Sequence, residues 1–190
     1  MHILKIGSST LRMCVMDFID GKDFFKSKAH ITKRDQLFIA NQASLINSIN
    51  IKPKKVYDSW AITNFQLEFK KKSQYLDSDD LKLVEPLLEK FQNLEIETLP
   101  HCFVHGDIIR TNVIKGKDNN IWVVDFSVSN YYPRIQELAV LACDVLFNKD
   151  NKKESEQNLK GALEEYQKSK GNRNKAKRKY SSNYWEKWCR

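Results

Sequence analysis

Three polar residues of the segment HGDIIRTNVIKGKDNNIWVVDF stand out against the apolar runs around them: Asp107, Asn112 and Asp125. Asp107 and Asn112 share one loop, five residues apart. Asp125 ends an apolar run 13 residues further on, and a hairpin turning at Asp118-Asn119 would return it to that loop. Phosphoryl transfer needs such a set. One carboxylate must orient an attacking hydroxyl and accept its proton, while a second carboxylate and an amide oxygen hold Mg²⁺ against the phosphates of ATP, since hard cations take oxygen ligands. Asp107 suits the first role; Asn112 and Asp125 suit the second. Taken singly, each has a plainer reading: a turn or cap for Asp107, a turn amide for Asn112, a strand terminator for Asp125. The chemistry is carried by the combination.

The elements that must position them can be read from periodicity. Residues 102–105 and 112–115 read as short strands flanking the loop, and 121–126 (IWVVDF) as a third. Pro133 is placed as a first helical residue, followed by a helix whose buried face is Ile135, Leu138, Ala139, Ala142, Val145 and Leu146. Upstream, residues 2–6 and 11–19 read as strands, Asp20-Gly21-Lys22 as a turn, and 35–51 as a helix stopped by Pro53. Further helical stretches are predicted over 59–75 and from Asp77 or Ser78, the latter with Leu81, Val84, Leu88 and Phe91 on one face. Pro86 should kink that helix or delay its start. A polar gap over 148–158 precedes a last helix, LKGALEEYQK, ending at Lys168.

These motifs resemble the aminoglycoside phosphotransferase and choline kinase-like family of small-molecule kinases. HGDIIRTN is similar to the HGDxxxxN catalytic loop of that family, VVDFS to its metal-binding strand, and PRIQELA to the helix that follows, with Glu137 where the family usually has Asp. The resemblance implies an α+β, protein-kinase-like C-lobe, mostly helical, with a small hairpin carrying the catalytic and metal-binding loops. It implies Asp107 as catalytic base, His105 as the brace of the catalytic loop, and Asn112 and Asp125 as Mg²⁺ ligands. Glu137 would be a second acceptor that steadies the loop, although spacing alone fits a surface salt bridge as well. VMDFIDG is similar to the family's hinge, where backbone groups of Met16, Asp17, Phe18 and Ile19 would hydrogen-bond adenine; ALEEYQK is similar to a later family helix. The implied co-substrates are ATP and a small molecule bearing a hydroxyl. The family's N-lobe has about five strands, a phosphate-covering loop and a paired lysine. This sequence begins at the last of those strands: Gly7-Ser8-Ser9 is too short for the loop, and Lys5 lacks the context of the lysine. The expectation is a partial domain, residues 1–168, followed by a basic tail over 169–190.

Composition narrows the alternatives. The net charge of +8 is concentrated at one end: Lys149–Arg190 holds 13 Lys and Arg against 6 Asp and Glu, or +7, leaving 19 against 18 in the rest. A basic tail with interleaved Tyr180, Tyr184, Trp185 and Trp188 could contact nucleic acid, but a solvated end accounts for it more simply. No run of 18 apolar residues suggests a membrane span. Cys14, Cys102, Cys143 and Cys189 form no CxxC pair, which suits reduced thiols in a cytoplasmic protein. His101, Cys102 and His105 invite a zinc reading, but strand alternation sets Cys102 on the opposite face from both histidines.

Overall fold

The computed structural model describes residues 2–13, 16–28 and 30–171. Two antiparallel strands, β1 (His2–Ile6) and β2 (Ser9–Met13), form a hairpin about Gly7, whose φ of 59° suits glycine. The predicted second strand is therefore shorter than expected; residues 16–20 are irregular, and Cys14 and Val15 lie outside the described residues. Gly21 and Lys22, expected in a turn with Asp20, instead join Asp23 in strand β3 (Gly21–Asp23), which pairs with the hairpin described below. Here sheet partners outweigh local turn propensity.

A short helix α1 (Phe24–Ser27) leads to α2 (Lys33–Ile46). Helix α2 is started by a capping box in which Thr32 and Asp35 exchange backbone-to-side-chain bonds of 3.2 Å each. It stops at Asn47, well before Pro53. Helices α3 (Phe65–Lys72) and α4 (Ser78–Gln92) follow, α4 capped by Asp77 through the amides of Asp79 and Asp80. Pro86 lies inside α4 without ending it. No residue of α4 is buried, so the expected stripe of Leu81, Val84, Leu88 and Phe91 is only half covered.

Strands β4 (His101–Val104), β5 (Val113–Gly116), β6 (Ile121–Val123) and β7 (Asn130–Pro133) make the remaining sheets, in the orders β3-β5-β6 and β4-β7. Strand β7 was not expected. Pro133 closes it rather than opening a helix, and α5 (Ile135–Cys143) begins two residues later. Ile135, predicted to be buried, is 55% exposed, because the helix turns Leu138 and Leu141 inward instead. Helix α6 (Lys152–Gly171) begins inside the predicted polar gap and passes the predicted end at Lys168. The tail residues 172–190 lie outside the described residues.

The main core gathers Phe24, Ile39, Ala43, Ile108, Val113, Leu141, Leu146 and Ala162, from α1, α2, the catalytic loop, β5, α5 with its C-terminal flank, and α6. Burial of these apolar side chains is the chief force holding α2, α5 and α6 around the hairpin. The loop residue Ile108 and the strand residue Val113 are wholly buried, so the loop between them is tied down at both ends. No helix among the described residues is long and apolar enough to cross a membrane.

Candidate active site

The predicted hairpin forms. Val113 pairs with Val123, Ile114 with Trp122 and Lys115 with Ile121, and the Val124 amide donates to the Asn112 carbonyl at 3.0 Å. Asn112 and Asp125 therefore issue from adjoining positions at the same end of the hairpin. The Asn112 side-chain nitrogen donates to Asp107 Oδ2 at 2.8 Å and to the Asp107 carbonyl at 3.0 Å. This fixes the orientation of the Asn112 amide. Its Nδ2 is committed to Asp107, and its Oδ1, whose one recorded partner is Thr111 Oγ1 at 3.4 Å, is turned away from that carboxylate.

Asp125 is exposed and has a φ of 64°, a left-handed conformation that side chains other than glycine adopt sparingly and Asp and Asn tolerate best. Its Oδ1 accepts from the Ser127 amide at 3.2 Å. Hydrogen bonding from the Ser127 side chain, and then from its amide, holds the carboxyl below its ordinary range, which keeps it ionised. Two oxygen donors, one amide and one carboxylate, fit a hard divalent cation whose other positions are filled by phosphate and water. Among the described residues no group of three or more His, Cys, Asp and Glu converges as a metal cage. Such a cation would thus depend on a second ligand.

Asp107 sits half-buried at the wall of a cleft of about 400 Å³, also lined by Gly106, Asp58, Trp60, Ala61, Ile62, Val128, Gln136 and Val140. Burial raises its pKa, the Asn112 hydrogen bond opposes the rise, and the charges of Asp125, Asp144 and Asp58 add to it. A carboxylate so placed is a better proton acceptor than a free one. Asp107 Oδ2 is taken by Asn112, while Oδ1 has no hydrogen-bond donor among the described residues.

The loop carrying Asp107 is pinned from α5 and its C-terminal flank. Glu137 accepts from the His105 amide at 2.7 Å and the Gly106 amide at 3.3 Å. Seven residues on, about two helical turns along, Asp144 accepts from the Arg110 amide at 2.8 Å and pairs with its guanidinium. Between these anchors Gly106 adopts a φ of 88°, open to glycine and strained for other residues. Glu137 is fully buried, so the salt-bridge alternative fails; its partners are main-chain amides and the Asn47 side chain. Burial pushes its carboxyl up to about 7 in spite of these donors.

His105 is likewise fully buried. Its Nε2 lies 3.0 Å from the Val124 carbonyl, Nδ1 lies 3.3 Å from the Asp107 amide, and the ring packs on Phe126 at 4.4 Å. Burial lowers its pKa to about 4, so the ring is neutral at pH 7 and ties the catalytic loop to the strand preceding Asp125. The segment Met16–Ile19 runs irregularly ahead of β3. Met16 and Phe18 are exposed, and no hydrogen bond joins the four residues to other described residues.

The structure thus brings together Asp107, Asn112, Asp125, His105 and Glu137, and leaves Met16–Ile19 in the irregular segment ahead of β3, the strand that pairs with their hairpin. Reading the sequence missed Asp58, Trp60 and Gln136 of the cleft. Reading 59–75 as one helix hid the first two: Ser59 and Trp60 lie in a turn ahead of α3, and the neighbourhood of Asp58 and Trp60 to Asp107 exists only in three dimensions.

The family model of the phosphotransferase enzyme family (APH) matches residues 4–171, and the chain belongs to that family. Comparison with curated proteins gave no match. Among solved structures the chain is similar to a choline/ethanolamine kinase family protein from Mesorhizobium loti, at 13% identity and a TM-score of 0.51, covering 96% of this chain and 68% of that one. It is also similar to LicA in complex with AMP, at 14% identity and a TM-score of 0.52, covering 88% of this chain and 62% of LicA. These likenesses show a shared kinase-like fold of mixed helices and small antiparallel sheets. The chain spans roughly two thirds of either neighbour's length.

Proposed function

We propose that this chain carries the acceptor and metal side of an ATP- and Mg²⁺-dependent kinase that phosphorylates a hydroxyl of a small molecule. The observation that carries the reading is the contact between Asn112 and Asp107. One side chain holds the base in the cleft and, by the same bond, turns its own oxygen outward beside Asp125. In this reading the acceptor enters the cleft beside Trp60 and gives its hydroxyl proton to Asp107 Oδ1 as the oxygen bonds the terminal phosphorus of ATP, whose bond to the bridging oxygen breaks and releases ADP. Asn112 Oδ1 and Asp125 would hold Mg²⁺, which supplies charge neutralisation at the phosphates. His105 and Glu137 keep the loop in place, and backbone groups of Met16–Ile19 receive adenine; LicA, a neighbour in fold, has been crystallised with AMP. The domain, expected to end at Lys168, is carried by helix α6 and the family match to Gly171, and the basic remainder of the sequence is read as a tail.

A second reading is favoured by one fact: the β1–β2 hairpin turns over Gly7-Ser8 alone, too short a link to cover phosphates. On that ground the 190 residues by themselves would bind metal and nucleotide with little turnover. The experiment measures Mg²⁺–ATP binding by calorimetry, then ³¹P-detected transfer to a panel of amino alcohols, sugars and aminoglycosides. Coupled binding with transfer supports the kinase, and coupled binding without transfer supports the second reading. Absence of coupling between metal and nucleotide would refute both.

A further inference from the structure

We propose that Asn47 and Tyr166 are positioning residues for the catalytic loop, linking helix α6 to the main-chain amides of His105 and Gly106 through Glu137. Tyr166 Oη donates to Asn47 Oδ1 at 2.6 Å. Asn47 Nδ2 donates to Glu137 Oε2 at 3.1 Å, and the same oxygen receives the His105 amide at 2.7 Å. Tyr166 is 5%, Asn47 4%, and Glu137 and His105 0% exposed, so the chain of bonds is sealed from solvent. It crosses 119 positions of sequence in its first step and 90 in its second. The ALEEYQ segment, which bears none of the reacting groups, thereby acquires a task.

The order of the bonds matters more than their number. A side-chain amide has one accepting end and one donating end. With Oδ1 committed to Tyr166, Nδ2 must face the Phe103 carbonyl, at 3.0 Å, and the Glu137 carboxylate. Without the tyrosine hydroxyl the amide could rotate and present an oxygen to a carboxylate, which would push Glu137 away from the loop. The tyrosine is itself fixed, because Ser44 Oγ donates to its carbonyl at 2.9 Å. Apolar contacts from Ile39, Ala43 and Ala162 already hold α2 against α6, so the polar chain is not needed to keep the helices together. Buried polar groups that add little to stability are retained where they specify an arrangement. Here that arrangement is the placement of two amides directly before Asp107. A bearing on turnover rests on the functional reading above; the geometry does not.

The test uses Tyr166→Phe in the full 190-residue chain, which removes one hydroxyl and keeps the ring. Amide exchange is followed by ¹⁵N NMR at His105 and Gly106, with the fully buried Val104 and Ile39, one from each hydrophobic cluster, as controls. The expected result is faster exchange at His105 and Gly106, by roughly 3- to 10-fold more than at the controls. In a Glu137→Gln background the selective effect of Tyr166→Phe should vanish. Parallel acceleration at all four amides, or none, would overturn the proposal, since a merely structural tyrosine loosens its surroundings evenly. If Tyr166→Phe fails to fold, Asn47→Ala is measured by the same criterion. Exchange needs neither substrate nor turnover, so a chain that proves inactive as a kinase leaves this result intact, and a failed relay leaves the kinase reading standing.

Discussion

Asn112 donates both its side-chain bonds to Asp107, one to the carboxylate and one to the carbonyl, so the two residues form a single closed unit within the loop. A change at either should therefore be felt at the other. In a form that transfers phosphate, Asp107→Ala should lower turnover by on the order of 10²- to 10⁴-fold with a smaller effect on nucleotide binding. Asn112→Ala should damage both, because it frees the base and removes a metal oxygen. Steady-state kinetics alongside calorimetry separates the two patterns. Turnover in Asp107→Ala equal to wild type would remove Asp107 from the chemistry.

In the proposed reading Asp125 joins a metal ligand to a strained backbone. Asn tolerates the left-handed conformation, so Asp125→Asn should fold normally yet bind Mg²⁺ or Mn²⁺ more weakly in the presence of ATP. Asp125→Val should in addition lose stability, by about 1–2 kcal/mol, because a branched side chain resists a φ of 64°. Denaturant unfolding and Mn²⁺ titration give the two readouts. Unchanged metal affinity in Asp125→Asn would discard the ligand assignment.

The His105–Glu137 contact sets two opposite pH dependences against each other. Burial raises Glu137 from an ordinary carboxyl value near 4.5 to about 7, so its contribution is full below about pH 4.5 and is lost as pH rises towards 7. Burial lowers His105 from about 6.5 to about 4, so its contribution is present above 6.5 and is lost as pH falls towards 4. Between about pH 4.5 and 6.5 the two slopes, each up to about 1.4 kcal/mol per pH unit, oppose one another. Relative to wild type, Glu137→Gln should make stability rise more steeply with pH in that window, and His105→Gln should make it fall. Chemical denaturation at half-unit steps tests this. The same sign of change in both variants would contradict the burial argument.

Helix α4 should be the first helix to open. It contains Pro86 and no buried residue, and its Leu83 and Leu87 are exposed. Its amides should exchange well before those of α2 and α6, and Asp77→Ala should hasten that exchange by removing the cap, at a cost of about 1 kcal/mol. Protection of α4 equal to that of α2 would mean that a surface beyond the described residues covers it.

How much of this was legible in the sequence depended on range. Asp77 and the Asp118-Asn119 turn act within four residues, and a helix cap and the hairpin follow from them; Thr32 caps α2 over as short a range, yet that helix was read only from Asp35. Asp107, Asn112 and Asp125 were legible because one hairpin joins them. Strand β7 and strand β3 were not, since each exists only through a distant partner: Tyr132 against Cys102, and Lys22 against Lys115. Burial of Glu137 was equally hidden, because a glutamate in the first turn of a helix reads as solvated until the loop that covers it is placed. The start of α6 was missed for a different reason. Its first turns are polar on all sides, and they are held by bonds that no hydrophobic period announces: the Asn148 and Asn151 side chains bond Glu154, and the Asn148 amide donates to Ser155 Oγ.

The pairing of β3 with β5 has a mechanical consequence. Gly21 lies so close to the hairpin that a Cβ there would meet the Lys115 carbonyl oxygen at 2.6 Å, and Lys117 reaches back to Asp20 through both its amide and its ammonium group. From Asp20 onward the chain is riveted to the strands that present Asn112 and Asp125. Met16–Ile19, just ahead of the rivet, make no hydrogen bond to other described residues. A nucleotide that took up their backbone groups, as proposed, would therefore meet donors and acceptors not already spent on the hairpin, beside a strand that is fixed to it.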